Sequence, residues 1–252
     1  MEYNIWRAPT DNDYGVDLQK KFAAWKDPKM DLKKFECKEF GDAKQVVAEY
    51  DMPTVSAKLL MTYTLRPDGQ LVVNEKLTTD PNAKEKPMMF RFGMQLVMPQ
   101  EFSKLQYYGR GPGENYIDRH WGDRIGVYNQ NVADQYWGYV RPQESGNHTD
   151  IRWWKVLSGA GTGLEFYSNI PMECSSLNYL TSDLDGGPEK MAHQMHSGDL
   201  TPRKFTVVKI QERQFGLGGI DSWSQWPEPE VQMPYGDREF TFVINPLANP
   251  AK

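Results

Sequence analysis

The sequence predicts an all-β protein built on a large antiparallel sandwich with long loops. Three observations carry that expectation. Several runs alternate apolar with polar side chains, two pairs of such runs flank short turns, and only one segment has helical spacing.

In chain order, the helical segment comes first. In "DLQKKFAAWK", Leu18, Phe22 and Trp25 recur on one helix face, with Asp17 placed as the N-cap. "KLLMTYTL" and "QLVVNEKLTT" flank "RPDG", so Leu59–Leu65 and Leu71–Leu77 read as a hairpin around a Pro-Asp-Gly turn. Met88–Met98 reads as a strand ended by Pro99. Ile151–Leu157 and Leu164–Ser168 form a second hairpin around "GAGTG". Arg203–Phe215 alternates, and in "REFTFVI" the residues Phe240, Phe242 and Ile244 share a face, with Pro246 closing the run. Asp183–Glu189 is a loop tip. With no repeat and no low-complexity linker, residues 1–252 are read as a single domain.

Composition narrows the function. A formal charge of −5 offers no basic excess for a phosphate backbone, which argues against nucleic acid as a partner. No apolar run approaches the roughly 20 residues of a membrane helix, so no membrane partner is expected. "MEYNIWRAPTDNDYG" has neither the basic nor the apolar region of a signal peptide, and the compartment stays open. Cys37 and Cys174 make neither a disulfide framework nor a zinc site. Aromatic residues reach 13%, and those in loops point towards sugars or protein partners.

Three polar segments are candidates for chemistry. Asp11, Asn12 and Asp13 could accept from sugar hydroxyls, hold a cation or form Asx-turns, the last being preferred. In "YYGRGPGENYIDRHWGDR" the glycines lack the Lys-Ser/Thr of a phosphate loop; Glu114, Asp118 and Arg119 read instead as a structural ion cluster. "YVRPQESGNH" reads as a turn before a strand, and His148 could be a base, though a solvated or hydrogen-bonded loop histidine is the plainer reading. His193 and His196 lack a further ligand at metal spacing, so no metal site is expected. Nucleophile-elbow, zincin and nucleotide motifs are absent, and no pair of carboxylates stands out for glycoside cleavage. "GLGGIDSWSQW" places Trp223 and Trp226 in irregular, Gly-rich chain.

Four segments together, "WRAPTDNDYG", "YGRGPGENYIDR", "YVRPQESG" and "GLGGIDSWS", resemble the C-terminal domain of the β-galactosidases of glycoside hydrolase family 2. This is their fifth domain, or small chain. The resemblance implies a galactose-mutarotase-like β-supersandwich whose catalytic glutamates lie in a separate (β/α)8 barrel. No catalytic residue is therefore expected here, and the chain alone should not hydrolyse galactosides. It implies as partners the remaining domains or a large subunit, with galactosides such as lactose as substrates. No cofactor is expected in this chain, with Mg or Na possible in the parent enzyme. By the same resemblance Trp223 forms a pocket wall that stacks on the aglycone-side sugar; the family motif does not cover Trp226, which is read as packing or an interface residue. Asp11, Asn12 and Asp13 match the family's "DND", which precedes a loop near Gly15 that can move beside the active site. Asp183–Glu189 is an extra loop. Two other readings are a free-standing carbohydrate-binding module, which the loop aromatics would suit, and an aldose-1-epimerase using His148 and Glu144, which rests on fold analogy.

Overall fold

The computed structural model describes residues 1–189, 195–220 and 226–248. The chain is all-β and antiparallel throughout, with a few short helices. It opens with a two-residue strand, β1 (Glu2–Tyr3), followed by two short helices, α1 (Asp11–Gly15) and α2 (Leu18–Lys21). A meander of long strands follows: β2 (Asp31–Phe40), β3 (Ala43–Met52), β4 (Ala57–Leu65) and β5 (Leu71–Thr79). Next come β6 (Arg91–Pro99), β7 (Phe102–Gly111), β8 (Arg124–Asn131), β9 (His148–Ser158) and β10 (Gly163–Leu177). A one-turn helix α3 (Thr181–Leu184) precedes β11 (Phe205–Gln214) and β12 (Arg238–Leu247).

The two expected hairpins are present. β4 and β5 pair from Ala57 opposite Thr79 to Leu65 opposite Leu71, and the turn between them puts Gly69 at φ +84°, where a side chain would be strained. β9 and β10 pair around the second turn, with Gly163 opposite Leu157.

β10 organises the sheet because one long strand serves two arms. Its first half pairs with β12, which continues the order β12-β5-β4-β3-β2. Its second half pairs with β11, which continues as β11-β6-β1. Register shifts against β9 between Tyr167 and Cys174 bend the strand between these roles. The arms then face each other across one core. Leu59, Leu77, Phe240 and Phe242 of the first arm share an apolar cluster with Phe92, Met94, Val208 and Ile210 of the second. Both faces of β11 are buried, so its outward residues have to be satisfied inside the protein.

Several expectations are corrected. The helix of Leu18–Trp25 breaks: α2 stops at Lys21, and Ala23–Trp25 form a 3₁₀ turn that buries Trp25, whose indole N–H donates to the Pro87 carbonyl at 2.9 Å. Asp17 stands at the N-cap but makes no side-chain cap bond, its backbone being left-handed at φ +59°. β6 begins at Arg91, because Met89 and Phe90 bond to Met233 and Phe215 in neighbouring loops. Pro246 does not end β12. Beyond Ile244 that strand pairs with β10 alone, so the missing N–H of Pro246 interrupts no second ladder. The expected Asp183–Glu189 loop tip begins inside α3, which holds Asp183 and Leu184, and the rest is anchored: Asp185 accepts from the Trp6 indole at 2.9 Å and pairs with Lys26 at 2.7 Å.

Candidate functional site

The site is built outward from Arg7. "Arg-Ala-Pro-Thr" leads into α1, where Thr10 caps the helix: its hydroxyl accepts from the Asp13 amide at 3.1 Å, and the Asp13 carboxylate accepts from the Thr10 amide at 2.8 Å. The same carboxylate takes Nε and Nη2 of Arg7 at 3.0 and 2.7 Å, a two-point ion pair with both side chains buried. Arg7 Nη2 also donates to the Gly216 carbonyl at 3.1 Å. Asp13 is thus turned inward and fully engaged, while Asp11 and Asn12 are left on the rim.

Asn12 holds the glycine-rich loop from one side, its amide donating to the Leu217 carbonyl at 3.1 Å. Gly219 sits against it at φ +82°, where an added Cβ would come within 2.8 Å of the Asn12 amide nitrogen. From the other side Asp118 accepts from the Leu217 and Gly218 amides, both at 2.9 Å. The expected ion cluster is therefore split. Glu114 pairs with Arg119, but Asp118 is spent on the loop.

Glu114 gathers the remaining wall. It accepts from Arg119, from the Tyr139 hydroxyl and from the Gly146 amide at 2.7 Å, and Arg119 also donates to Tyr139 at 2.8 Å. Burial, with Glu114 next to it, pushes the Tyr139 phenol well above its usual range. Gln143 closes the cleft: its carbonyl oxygen accepts from the Asp11 amide at 3.1 Å and its amide donates to the Asp11 carboxylate at 3.2 Å. The result is a polar cleft of about 220 Å³ lined by Asp11, Asn12, Arg119, Tyr139, Gln143 and Leu217, with Thr10 and Glu144.

Under the cleft lies a buried charge network. Glu144 is 2.5 Å from Arg91 and 3.6 Å from Lys209, all three almost completely buried. Burial alone would push the Glu144 carboxyl up; the attraction of Arg91 and Lys209 outweighs it and holds the group down at about 2. Burial lowers the Lys209 ammonium to about 8 despite Glu144. Glu173, raised to about 7 by burial, accepts from Asn147 at 3.0 Å.

His148 is not a solvated loop residue. It begins β9 and is buried among Tyr107, Trp154 and Gln135; Nε2 lies 2.8 Å from Gln135 Oε1 and Nδ1 3.1 Å from the Arg110 carbonyl, and the single N–H of a neutral ring donates to one of them. Desolvation lowers its pKa to about 4, so it is neutral at pH 7. With Glu144 bound by Arg91 and Lys209, the pair offers no poised acid and base for an epimerase.

Trp223 and His193 lie outside the described residues. Trp226 is packing, as expected: it meets Phe22 and Phe215 edge to face, with centroids at 6.1 and 6.4 Å. Among the described residues, no three His, Cys, Asp or Glu side chains gather to hold a metal ion, and no helix is long and apolar enough to cross a membrane. Arg7, Gln143 and the Arg91–Glu144–Lys209 network were not singled out from sequence, although Arg7 and Gln143 lie inside quoted motifs.

Comparison with known proteins places this geometry. Residues 1–244 match the model of the beta galactosidase small chain. A beta-galactosidase of Priestia megaterium is 31% identical over 97% of this chain and 23% of its own length. One from Lactobacillus delbrueckii subsp. bulgaricus is 32% identical over 98% of this chain and 24% of its own. The chain thus spans about a quarter of the length of these curated relatives. Among solved structures, a GalM/aldose epimerase homologue from C. elegans aligns over 84% of this chain and 67% of its own, with 11% identity and a TM-score of 0.38. By its match along nearly the whole sequence, the chain belongs to the beta-galactosidase small-chain family.

Proposed function

We propose that this chain is the fifth, C-terminal domain of a glycoside hydrolase family 2 β-galactosidase, a single unit that completes the sugar pocket without supplying the catalytic glutamates. Its partners are the remaining domains or the large subunit, and its ligands are galactosides such as lactose. Any Mg or Na of the parent enzyme is assigned to those other parts, since Asp13, Glu144, Glu114 and Asp118 around this cleft are committed to Arg7, Arg91, Arg119 and backbone amides.

One observation carries the reading: the four motif segments, scattered through the sequence, converge on one cleft. At about 220 Å³ that cleft is below the usual size of a complete ligand pocket, which suits one wall of a larger site. Asp11 and Asn12 offer polar groups at the rim, while Asp13 positions them through Arg7 and the helix cap. The Gly216–Gly219 loop, clamped by Asn12 and Asp118, leads into the segment bearing Trp223. An indole there would cover the apolar C–H face of an aglycone-side sugar. Exposed Trp137, Val140 and Ile220 flank cleft-lining Tyr139 and Leu217 in sequence and supply apolar surface for the adjoining domain.

The test is Trp223→Ala in the intact enzyme. The KM for lactose should rise about tenfold, the loss of one stacking contact, with the thermal midpoint unchanged. Identical KM and acceptor preference in the variant would reject the role.

A further inference from the structure

The described sheet ends in two edge strands of opposite character, β2 and β8, besides the two-residue β1. β2 is guarded. It carries Lys33, Lys34, Glu36, Lys38 and Glu39 and has a bulge against β3 between Leu32 and Lys34. Pairing β2 with its own copy about a two-fold axis at Glu36 would set Glu36 against itself and Lys34 against Lys38 twice, and an axis at Phe35 would set Asp31 against Glu39 twice.

β8 has none of these devices. From Ile125 to Asn131, "IGVYNQN", it contains no charge and no proline. It pairs with β7 without a bulge, from Lys104 opposite Asn131 to Gly111 opposite Arg124, and with no other described strand. Ile125 and Val127 are exposed beside Tyr108 of β7, so the free backbone edge borders an apolar face. An unguarded edge of this kind is a template for a further strand.

We propose that the β8 edge is a self-association surface, joining two copies of this chain through an antiparallel β8–β8 pair. Self-complementarity selects a second copy as the occupant. With the two-fold axis at Val127, that residue faces its own copy, Gly126 faces Tyr128, Ile125 faces Asn129 and Arg124 faces Gln130. No like charges meet, and neutral amides flank an apolar centre. Seven paired residues on each side, 124–130, form about six to eight backbone hydrogen bonds and make the two sheets continuous. The surface is separate from the cleft and does not depend on the role proposed for it.

The experiment uses the intact protein that contains this chain. Sedimentation velocity over a roughly hundredfold concentration range should show reversible association. Val127→Lys, which alters an exposed side chain and opposes two lysines near the axis, should weaken that association about tenfold or more while leaving the thermal midpoint in place. Phe35→Lys on β2 is the control and should leave the association as in the wild type. Amide hydrogen exchange in residues 125–131 should slow as concentration rises. A protein that stays monomeric overturns the proposal, as does association indifferent to Val127→Lys. Protection of β8 independent of concentration also overturns it, showing instead that another part of the same polypeptide covers the edge.

Discussion

Two buried carboxyl groups, Glu144 and Glu75, sit in the same molecule and lead opposite chemical lives. Glu144 lies under the cleft with Arg91 and Lys209 and is held ionised, its pKa at about 2. Glu75 lies on β5 between Met61 of β4 and Phe240 of β12, in the apolar arm of the core, and neither oxygen has a hydrogen-bond partner. Burial, with the Glu212 charge nearby, raises its pKa well above the carboxylate range. Equal burial therefore goes with a lowered carboxyl pKa in one place and a raised one in the other. What decides is the presence of cations at contact distance: Glu144 has Arg91 and Lys209, and Glu75 has none among the described residues.

The largest expected effect tests the paired end. Glu144→Ala should strand Arg91 and Lys209 and lower stability by about 3–5 kcal/mol in urea unfolding. A loss below about 1 kcal/mol would mean that the cations are solvated and the contrast false. The next test is acid titration. His148 has a lowered folded pKa, so between about 6.5 and 4 the unfolded chain binds the extra proton and stability falls as pH falls. The span is worth at most about 3 kcal/mol, and His148→Phe should remove that slope. Glu144 continues the loss from about 4.5 down to 2, in the same sense, because its folded pKa is also lowered.

The lone carboxyl predicts the opposite sign. With its folded pKa raised, Glu75 binds a proton in the folded state that the unfolded chain has released above about 4.5, so its contribution falls as pH rises. Glu75→Met should stabilise the protein at neutral pH by about 1–3 kcal/mol and flatten that decline. A destabilised variant would mean that Glu75 has a partner after all. The smallest effect is at the surface, where Lys76 meets Glu239 at 3.0 Å with both side chains about half exposed; Lys76→Ala should change stability by less than about 0.5 kcal/mol.

Legibility in the sequence followed the range of the interactions. The β4–β5 hairpin could be read because turn chemistry and alternation lie within a few residues of each other. β2 could not, since an edge strand exposed on both faces has no apolar alternation to detect. Leu18, Phe22 and Trp25 do share a buried direction, but spacing alone does not reveal that the helix changes to a 3₁₀ turn between them. The motif segments pointed to the cleft, whereas Lys209 looked like the polar member of an alternating strand. Only the three-dimensional packing of β11 on both faces shows that this lysine is inside and needs Glu144.

Asp118 carries a last implication. Three glycines and one leucine offer few side chains with which to fix their own path, so the path of residues 216–219 is held from outside, by Asn12 and by a carboxylate of the β7–β8 connection gripping two successive amides. On the proposed function, fine adjustment of the segment bearing Trp223 would therefore be delegated to a residue about one hundred positions away that need never meet a ligand. Asp118→Asn, which keeps the shape and weakens the grip, would be a dial for selectivity among acceptors, separate from the indole itself.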